Sequence, residues 1–257
     1  MRKISLLMLL LMCSSLSCIR RFPDPEGRDA RDMMSQTVKV AVSILGMHLT
    51  KDEEGKISGK PMVIGWTGSG VIVDIDKHKG KGESLIMTAA HVSNIPEVIP
   101  EFGEDGQVKS LFLTKIAIIT VETLDGRTCE SESIYSDPEH DLGVIRSLCI
   151  AGNKAELADE LPPLGAMVTT SGAGLGYHPR GTFVVTDGRY VGMEDGEDPG
   201  VVVTLPAVGG HSGSGIFYRG KVFSILTRRA IRFEHIVMGT ELRYLKLALE
   251  GARGNWD

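Results

Sequence analysis

The stretch VGGHSGSGIF, residues 208–217, consists mainly of glycine and serine and contains one histidine. Small residues bury little apolar surface, but they allow a sharp turn whose backbone N–H groups face a single point. The stretch therefore predicts a turn with an exposed Ser212 hydroxyl, in which the N–H groups of Gly210 and Ser212 converge on an anion. Such a turn needs a rigid frame and a partner for the serine from the rest of the chain.

The frame predicted around this turn is all-β. From residue 36 onward the chain consists of short runs rich in valine and isoleucine, separated by glycine, aspartate and asparagine turns. This pattern is typical of β-sandwiches and β-barrels. A polar break at 150–162, read as a short helix or a linker, divides the runs into two β-rich halves, about 36–150 and 163–236. We expect residues 93–114 to form an irregular insertion in the first half.

The C-terminal segment has a different period. Leu242, Leu245 and Leu249 recur at helical spacing, and Gly251 can end a helix. We therefore expect one α-helix over residues 240–252 that closes the fold.

Length and charge restrict the classes of function. The 257 residues suffice for one large domain or two small ones with a real core. The net charge of −5, without any run rich in lysine and arginine, argues against a nucleic-acid partner. Neither an HExxH motif nor a paired CxxC motif occurs, so neither a metal site nor a cofactor is expected.

The N-terminus has the pattern of an export signal. Arg2 and Lys3 precede an apolar run that is too short to span a bilayer, and small residues lead to Cys18. Residues 1–18 are therefore predicted to be a signal peptide. The residues before Cys18 resemble a bacterial lipoprotein cleavage box, with Ser15 in place of the usual leucine, so lipidation at Cys18 with membrane anchoring and simple secretion both stay open.

The polar residues 19–35 include two prolines and are expected to form a flexible arm.

A serine becomes a nucleophile only when a base takes its proton and a carboxylate orients that base. His91 follows the apolar run LIMTAA, and Asp141 precedes the apolar run LGVI. Both therefore lie at predicted strand ends, where side chains can meet. The order along the chain is His91, Asp141, Ser212.

Three motifs in this order, TAAH (88–91), DLGVI (141–145) and GHSGSGIF (210–217), resemble the triad motifs of chymotrypsin-fold serine peptidases. The bacterial Deg-type and glutamyl-endopeptidase-like members are the most similar, and the resemblance covers about 36–250. It implies two six-stranded antiparallel β-barrels with the active site in the cleft between them.

The same resemblance implies roles for individual residues. Ser212 is then the nucleophile, His91 the general base and acid, and Asp141 the orienting carboxylate, while the N–H groups of Gly210 and Ser212 form the oxyanion hole. His211 departs from the pattern, because trypsin-like zymogens carry an aspartate there that pairs with a freed N-terminus. Activation of that type is therefore not expected.

The resemblance also locates the substrate pocket, between the segment before the serine and the strand after it. The substrate-binding candidates are Thr204, Pro206, Thr227 and Arg229. No acidic residue occurs in these segments, so a preference for lysine or arginine is not expected, and we predict a small or apolar residue at the cleaved position. Arg228 and Arg229 leave open either contact with an acidic substrate residue or plain solvation.

Two cysteines follow the expected signal peptide. Cys129 and Cys149 flank a predicted hairpin, 126–135 with 141–149, whose turn would place them nearly opposite each other, within reach of a disulfide. Two free buried thiols are the alternative.

The sequence thus predicts an exported serine endopeptidase that acts on proteins or peptides without a cofactor and without a PDZ domain. The alternatives are a catalytically inactive peptidase fold that serves as a surface binding module, and an esterase with the same site. The sequence makes no prediction of the oligomeric state.

Overall fold

A computed structural model gives the architecture. The residues that it describes are 30–52, 54–76, 82–149, 151–176, 183–196, 199–230, 233 and 235–254. The expected signal peptide 1–18, with the candidate lipidation site Cys18, lies outside the described residues.

The first half of the chain contains seven strands. They are β1 (Thr37–Lys51), β2 (Ile57–Asp76), β3 (Glu83–Thr88), β4 (Val98–Phe102), β5 (Val108–Glu122), β6 (Thr128–Asp137) and β7 (Leu142–Ser147). The sheet runs in the order β1-β2-β3-β7-β6-β5-β4, and β1 also pairs with β5. That pairing closes a six-stranded antiparallel barrel, with β4 outside it along β5.

The second half repeats this plan. Its strands are β8 (Glu156–Leu157), β9 (Met167–Gly172), β10 (Val184–Met193), β11 (Val201–Thr204), β12 (Gly215–Tyr218), β13 (Lys221–Arg229) and β14 (Ile236–Thr240). The order is β12-β9-β10-β11-β14-β13-β8, and β12 also pairs with β13. The closure gives a second six-stranded antiparallel barrel, while the short β8 pairs in parallel with β13. The predicted pair of barrels is confirmed.

Three α-helices and one 3₁₀-helix complete the described residues: α1 (Ala30–Ser35), α2 (Ala90–Ser93), α3 (Leu242–Gly254) and the 3₁₀-helix Gly174–Gly176. The predicted C-terminal helix thus begins two residues later than expected. The run IVMGT, which the expected second barrel left out beyond residue 236, forms β14 because it pairs with both β11 and β13. Within the described ranges, no helix is both long and apolar enough to span a membrane.

Each barrel has its own core, and a third core joins the two barrels. The centre of strand β3, Leu85–Met87, is continuously apolar because both of its faces are buried. Ile86 faces the interior of the first barrel, whereas Leu85 and Met87 face the second barrel and α3. From the other side, Phe217 and Leu245 enter the same shared core. The histidine that follows β3 is thereby held at the junction of the barrels.

Two expectations from the sequence were wrong. The insertion expected to be irregular over 93–114 contains β4 and the first part of β5, which pair as a hairpin. The described end of the expected flexible arm 19–35 is the helix α1, because Met33 is buried in the shared core and its carbonyl accepts a hydrogen bond from Oγ1 of Thr37 at 2.9 Å. The buried Met33 therefore anchors the end of this segment to the barrels.

The disulfide predicted between Cys129 and Cys149 is present, with a Cα–Cα distance of 6.0 Å. In the β6–β7 pairing Ser131 lies opposite Ser147. Continuing this register by two residues places the cysteines opposite each other, which is the arrangement that the bond requires.

Candidate active site

His91 lies directly after the third strand of the first barrel. Strand β3 ends at Thr88, and His91 belongs to the short helix α2. The neighbouring Ala89 and Ala90 are buried, whereas the His91 side chain is 50% exposed. The backbone of the histidine is therefore fixed against the barrel while its ring remains accessible.

Asp141, just before β7, holds this histidine through three hydrogen bonds. Its Oδ2 lies 2.7 Å from Nδ1 of His91, and its Oδ1 accepts the His91 backbone N–H at 2.9 Å. Its carbonyl oxygen accepts the N–H of Ala90 at 3.1 Å. Asp141 has a φ of +49°, in the left-handed region that aspartate and asparagine tolerate better than most residues. This backbone conformation directs the carboxylate back onto α2.

The contact at Nδ1 has a chemical consequence. A carboxylate accepts a hydrogen bond from Nδ1–H, so the neutral ring carries its lone pair on Nε2, where it can take a proton. The structure therefore brings together two of the predicted site residues, fifty positions apart in the sequence, in an arrangement suited to a general base.

Ser212 lies in a tight turn of the second barrel, residues 208–214, which we call the serine turn. His211 N–H donates to the carbonyl of Val208 at 3.1 Å, and Ser214 N–H donates to the carbonyl of His211 at 2.9 Å. The φ angles of Gly210 and Gly213 are +93° and +89°, which residues with a side chain rarely adopt. The glycines in the motif are therefore required by the shape of the turn.

Two peptide planes of the serine turn have fixed orientations. The carbonyl of Gly209 accepts the N–H of Leu175 at 2.5 Å, and the carbonyl of His211 accepts the N–H of Ser214 at 2.9 Å. In a trans peptide the N–H points opposite to the carbonyl of the same plane, so the N–H groups of Gly210 and Ser212 point away from these partners. Neither N–H donates to an acceptor within the described part of the chain.

The serine turn is packed against the segment that carries His91. The N–H of Ser69, on β2, donates to the carbonyl of Ser212 at 2.8 Å. A Cβ added at Gly213 would lie 3.0 Å from the backbone nitrogen of Ala89, which shows how closely the two segments approach. Ser212 is partly exposed, and across the described ranges its hydroxyl has no hydrogen-bond partner in the protein.

The substrate-binding candidates divide between two neighbouring walls. Thr227 and Arg229 lie on β13, and Nη1 of Arg229 reaches the carbonyl of Ala207 at 3.4 Å, which links this strand to the segment before the serine turn. Pro206, in that segment, is exposed. The Thr204 hydroxyl instead points to the carbonyl of Arg189 at 3.5 Å, on the adjacent strand of the barrel.

A cleft of about 470 Å³ opens beside His91 and Asp141. Both barrels contribute to its lining, the first through Glu139 and His140 and the second through Thr227 and Arg228. Arg228 pairs with Glu194, so its charge is compensated by the protein. In the described part of the chain, no cluster of histidine, cysteine, aspartate or glutamate side chains forms a metal site.

His140 lines this cleft, and the sequence analysis did not single it out. His140 is mostly buried, its Nδ1 lies 2.7 Å from Oδ2 of Asp137, and its ring stacks on Tyr244 of α3 at 3.5 Å. The spacing of Asp137 and His140 is the signal that was available, since an aspartate can cap the two residues that follow it in a turn.

His211 lies beneath the serine turn. Its side chain is 2% exposed, its Nδ1 accepts the N–H of Val208 at 3.1 Å, and its buried Nε2 has no partner among the residues that the structure describes. Burial lowers the pKa of His211, while the Val208 carbonyl oxygen, 3.3 Å from Nδ1, favours the protonated ring and acts in the opposite direction. His211, which departs from the pattern of trypsin-like zymogens, thus supports the turn from below.

A model of the trypsin-like peptidase domain matches residues 68–225, which include the His91–Asp141 pair and the serine turn. The chain belongs to the trypsin-like peptidase family. A search of curated protein sequences finds no match to this chain.

Solved structures of bacterial proteases share the fold of this trypsin-like peptidase. An inactive form of a serine-to-alanine mutant of Rv3671c from M. tuberculosis H37Rv is 14% identical, with a TM-score of 0.56, covering 88% of this chain and 90% of the other. The active form of the Rv3671c protease is 17% identical, with a TM-score of 0.56 and coverages of 86% and 82%. A serine endoprotease from Yersinia pestis is 19% identical, with a TM-score of 0.58, covering 86% of this chain and 64% of the other. At these identities the likeness concerns the fold.

Proposed function

We propose that this trypsin-like peptidase is an exported serine endopeptidase that cleaves proteins or peptides through an acyl-enzyme. The observation that carries the proposal is the combination of the His91–Asp141 pair with two backbone N–H groups, of Gly210 and Ser212, that have no acceptor within the described residues. The first arrangement suits a base and the second suits an oxyanion hole.

The proposed reaction has two halves. Nε2 of His91 takes the proton of the Ser212 hydroxyl while the oxygen attacks the peptide carbonyl, and Asp141 stabilises the imidazolium that forms. The carbonyl oxygen becomes an anion that accepts the N–H groups of Gly210 and Ser212. His91 then gives its proton to the leaving amine, which breaks the C–N bond and leaves an ester at Ser212. Water, deprotonated by the same histidine, hydrolyses this ester and regenerates the serine.

The position of Arg229 supports a small or apolar residue at the cleaved position. Its guanidinium extends from β13 to the carbonyl of Ala207, across the space between the two predicted pocket walls. We propose that this contact shortens the pocket and leaves room for a small or apolar side chain. A peptide-library profile with a strict preference for lysine or arginine would contradict this part of the proposal.

Export is supported by the disulfide between Cys129 and Cys149, because such bonds persist mainly in oxidising compartments. The mass of the mature N-terminal peptide distinguishes a lipid-modified Cys18 from an unmodified terminus. An intact, unprocessed N-terminus would contradict export through this signal.

The decisive experiment is labelling of the purified chain with a fluorophosphonate probe, which reacts with activated serines. We expect the wild type to be labelled and the Ser212→Ala and His91→Ala variants to remain unlabelled, with all three showing the same circular dichroism spectrum. A folded wild type that is not labelled contradicts the proposal, and it favours the catalytically inactive binding module instead.

A further inference from the structure

Ser69 is a residue of the first barrel, and both side-chain hydrogen bonds that it makes within the described residues join it to the second barrel. It lies on β2 and is completely buried. Its Oγ donates to the carbonyl of Gly210 at 2.7 Å and accepts the N–H of Ala173 at 2.8 Å. One hydroxyl thus joins the serine turn to the end of β9, with both its donor and an acceptor position used.

The backbone of Ser69 strengthens the same connection. Its N–H donates to the carbonyl of Ser212 at 2.8 Å, and its own carbonyl accepts the hydroxyl of Thr88 at 2.7 Å. Thr88 ends β3, three residues before His91. Ser69 therefore bonds to the backbone on both sides of His211. It is itself fixed to β3, the strand that precedes His91.

We propose that Ser69 is a positioning residue for the oxyanion hole, an inference that rests on the proposed function. Gly210 provides one of the two N–H groups, and glycine has the least intrinsic restriction of its backbone angles. The peptide plane before Gly210 is held at the Gly209 carbonyl by the Leu175 N–H. The peptide plane after Gly210 is held at the Gly210 carbonyl by the Ser69 hydroxyl. With both planes held, the Gly210 N–H keeps its direction before any substrate is bound.

The surroundings explain why a serine suits this position. A Cβ added at Gly172 would lie 2.9 Å from the Ser69 Oγ, so the hydroxyl is tightly enclosed. Removing it leaves the carbonyl of Gly210 and the N–H of Ala173 without their partner in a buried place. The peptide plane after Gly210 then loses one of its hydrogen bonds and keeps the one from the His211 N–H to the Val208 carbonyl, so the preorganisation of the Gly210 N–H is weakened. Because preorganised donors act mainly on the transition state, the loss belongs to the rate of the chemical step rather than to binding.

The test measures the kinetics of fluorophosphonate labelling of the full chain. These kinetics give two constants: kinact, the rate constant of the step that forms the bond to the serine, and KI, the dissociation constant of the probe before reaction. The variants are Ser69→Ala and Ser69→Cys, of which the second keeps a similar volume and loses the strong hydrogen bond. The matched control is Ser84→Ala, at another buried serine of the first barrel, whose Oγ accepts the N–H of Ala151 at 3.0 Å away from the serine turn.

For the Ser69 variants we expect kinact to fall roughly 10- to 100-fold, with KI within about threefold of the wild type. For Ser84→Ala we expect both constants within about twofold. The inference is overturned if kinact of a folded Ser69 variant is unchanged, if the loss lies only in KI, or if Ser84→Ala loses as much. It is also overturned if neither Ser69 variant folds, because the residue then serves the fold rather than the hole. A wild type that is not labelled contradicts the proposed function itself, and the inference with it.

Discussion

The two parts of the candidate active site are held in different ways. The His91–Asp141 pair belongs to one barrel, and its hydrogen bonds join two segments of that barrel directly. In the serine turn the side-chain hydrogen bond is local, from the Val208 N–H to Nδ1 of His211. It is shaped by glycines with positive φ and by partners outside the turn, among them Ser69 of the opposite barrel.

This difference separates the proton transfer expected at the His91–Asp141 pair from the packing of the two barrels at the serine turn. A change in the pair alters proton transfer, while the barrel around it keeps its contacts. A change in the serine turn alters the junction of the two barrels, so it affects stability and chemistry together. The predictions below test this division, beginning with the largest expected effect.

Substitution of Asp141 by asparagine should remove most of the activity without unfolding the protein. Asparagine tolerates the positive φ at this position, but its amide N–H₂ favours the wrong tautomer of His91, in which Nε2 carries the proton. We expect kcat to fall about 10³- to 10⁴-fold with a change in stability below about 1 kcal/mol. Stopped-flow or steady-state hydrolysis, combined with urea unfolding, measures both quantities.

Asp137→Asn provides the matched control, because Asp137 also pairs with a histidine, His140, in the same turn. We expect its kcat within about threefold of the wild type. Equal losses in the two variants would show that the turn as a whole matters, and that the His91–Asp141 pair is not the chemical centre.

Substitution of Gly213 by alanine should be the most damaging change to the junction of the barrels. The new Cβ would lie 2.1 Å from the Ser69 carbonyl oxygen and 2.3 Å from Oγ1 of Thr88, in addition to the strain of a positive φ. We expect a loss of about 3–5 kcal/mol in the free energy of unfolding, measured by urea denaturation, together with a loss of labelling in the folded fraction.

Gly126→Ala separates the two causes. Gly126 also has a positive φ, +81°, but nothing lies within 4 Å of its added Cβ. This variant should therefore lose only the strain, about 1–2 kcal/mol. If both alanine variants lose the same amount, the serine turn is not clamped between the barrels.

The sequence was informative where the order of apolar and polar side chains reveals the ends and the register of strands. His91 and Asp141 were predictable because each borders an apolar strand, and the cysteine pair was predictable because a hairpin register places Cys129 opposite Cys149. The β4–β5 hairpin was missed because β4 packs outside the closed barrel and is largely exposed. Its sequence therefore lacks the alternation of buried and exposed residues on which strand prediction depends.

The support of the proposed oxyanion hole was not predictable for a different reason. The N–H groups of Ala173 and Leu175 act through the backbone, so the stretch SGAGLGY, residues 171–177, carries no side-chain signal for this role. Ser69 lies 141 positions from Gly210, and a serine within a strand is ordinary. Only the closure of two barrels onto each other makes this residue part of the site.

The smallest predicted effect concerns the stability of the protein at acidic pH. His211 supports the serine turn in a buried, uncharged state, and burial lowers its pKa. The unfolded chain binds a proton at this histidine below about pH 6.5, whereas the folded protein binds it only at lower pH. The unfolded state therefore binds more protons as the pH falls, and the stability of the protein decreases. The contribution of one such group is at most about 1.4 kcal/mol near pH 5.5.

His211→Asn removes this titration and keeps a side-chain oxygen that can accept the Val208 N–H. Urea unfolding between about pH 7.5 and 5.5 should show a flatter pH dependence for this variant than for the wild type, by up to that amount. The exposed His235 is the control, and His235→Asn should keep the wild-type slope. If His211→Asn also keeps that slope, the histidine beneath the serine turn does not resist protonation. The division between a chemical centre and a structural junction would then not extend to the pH dependence of stability.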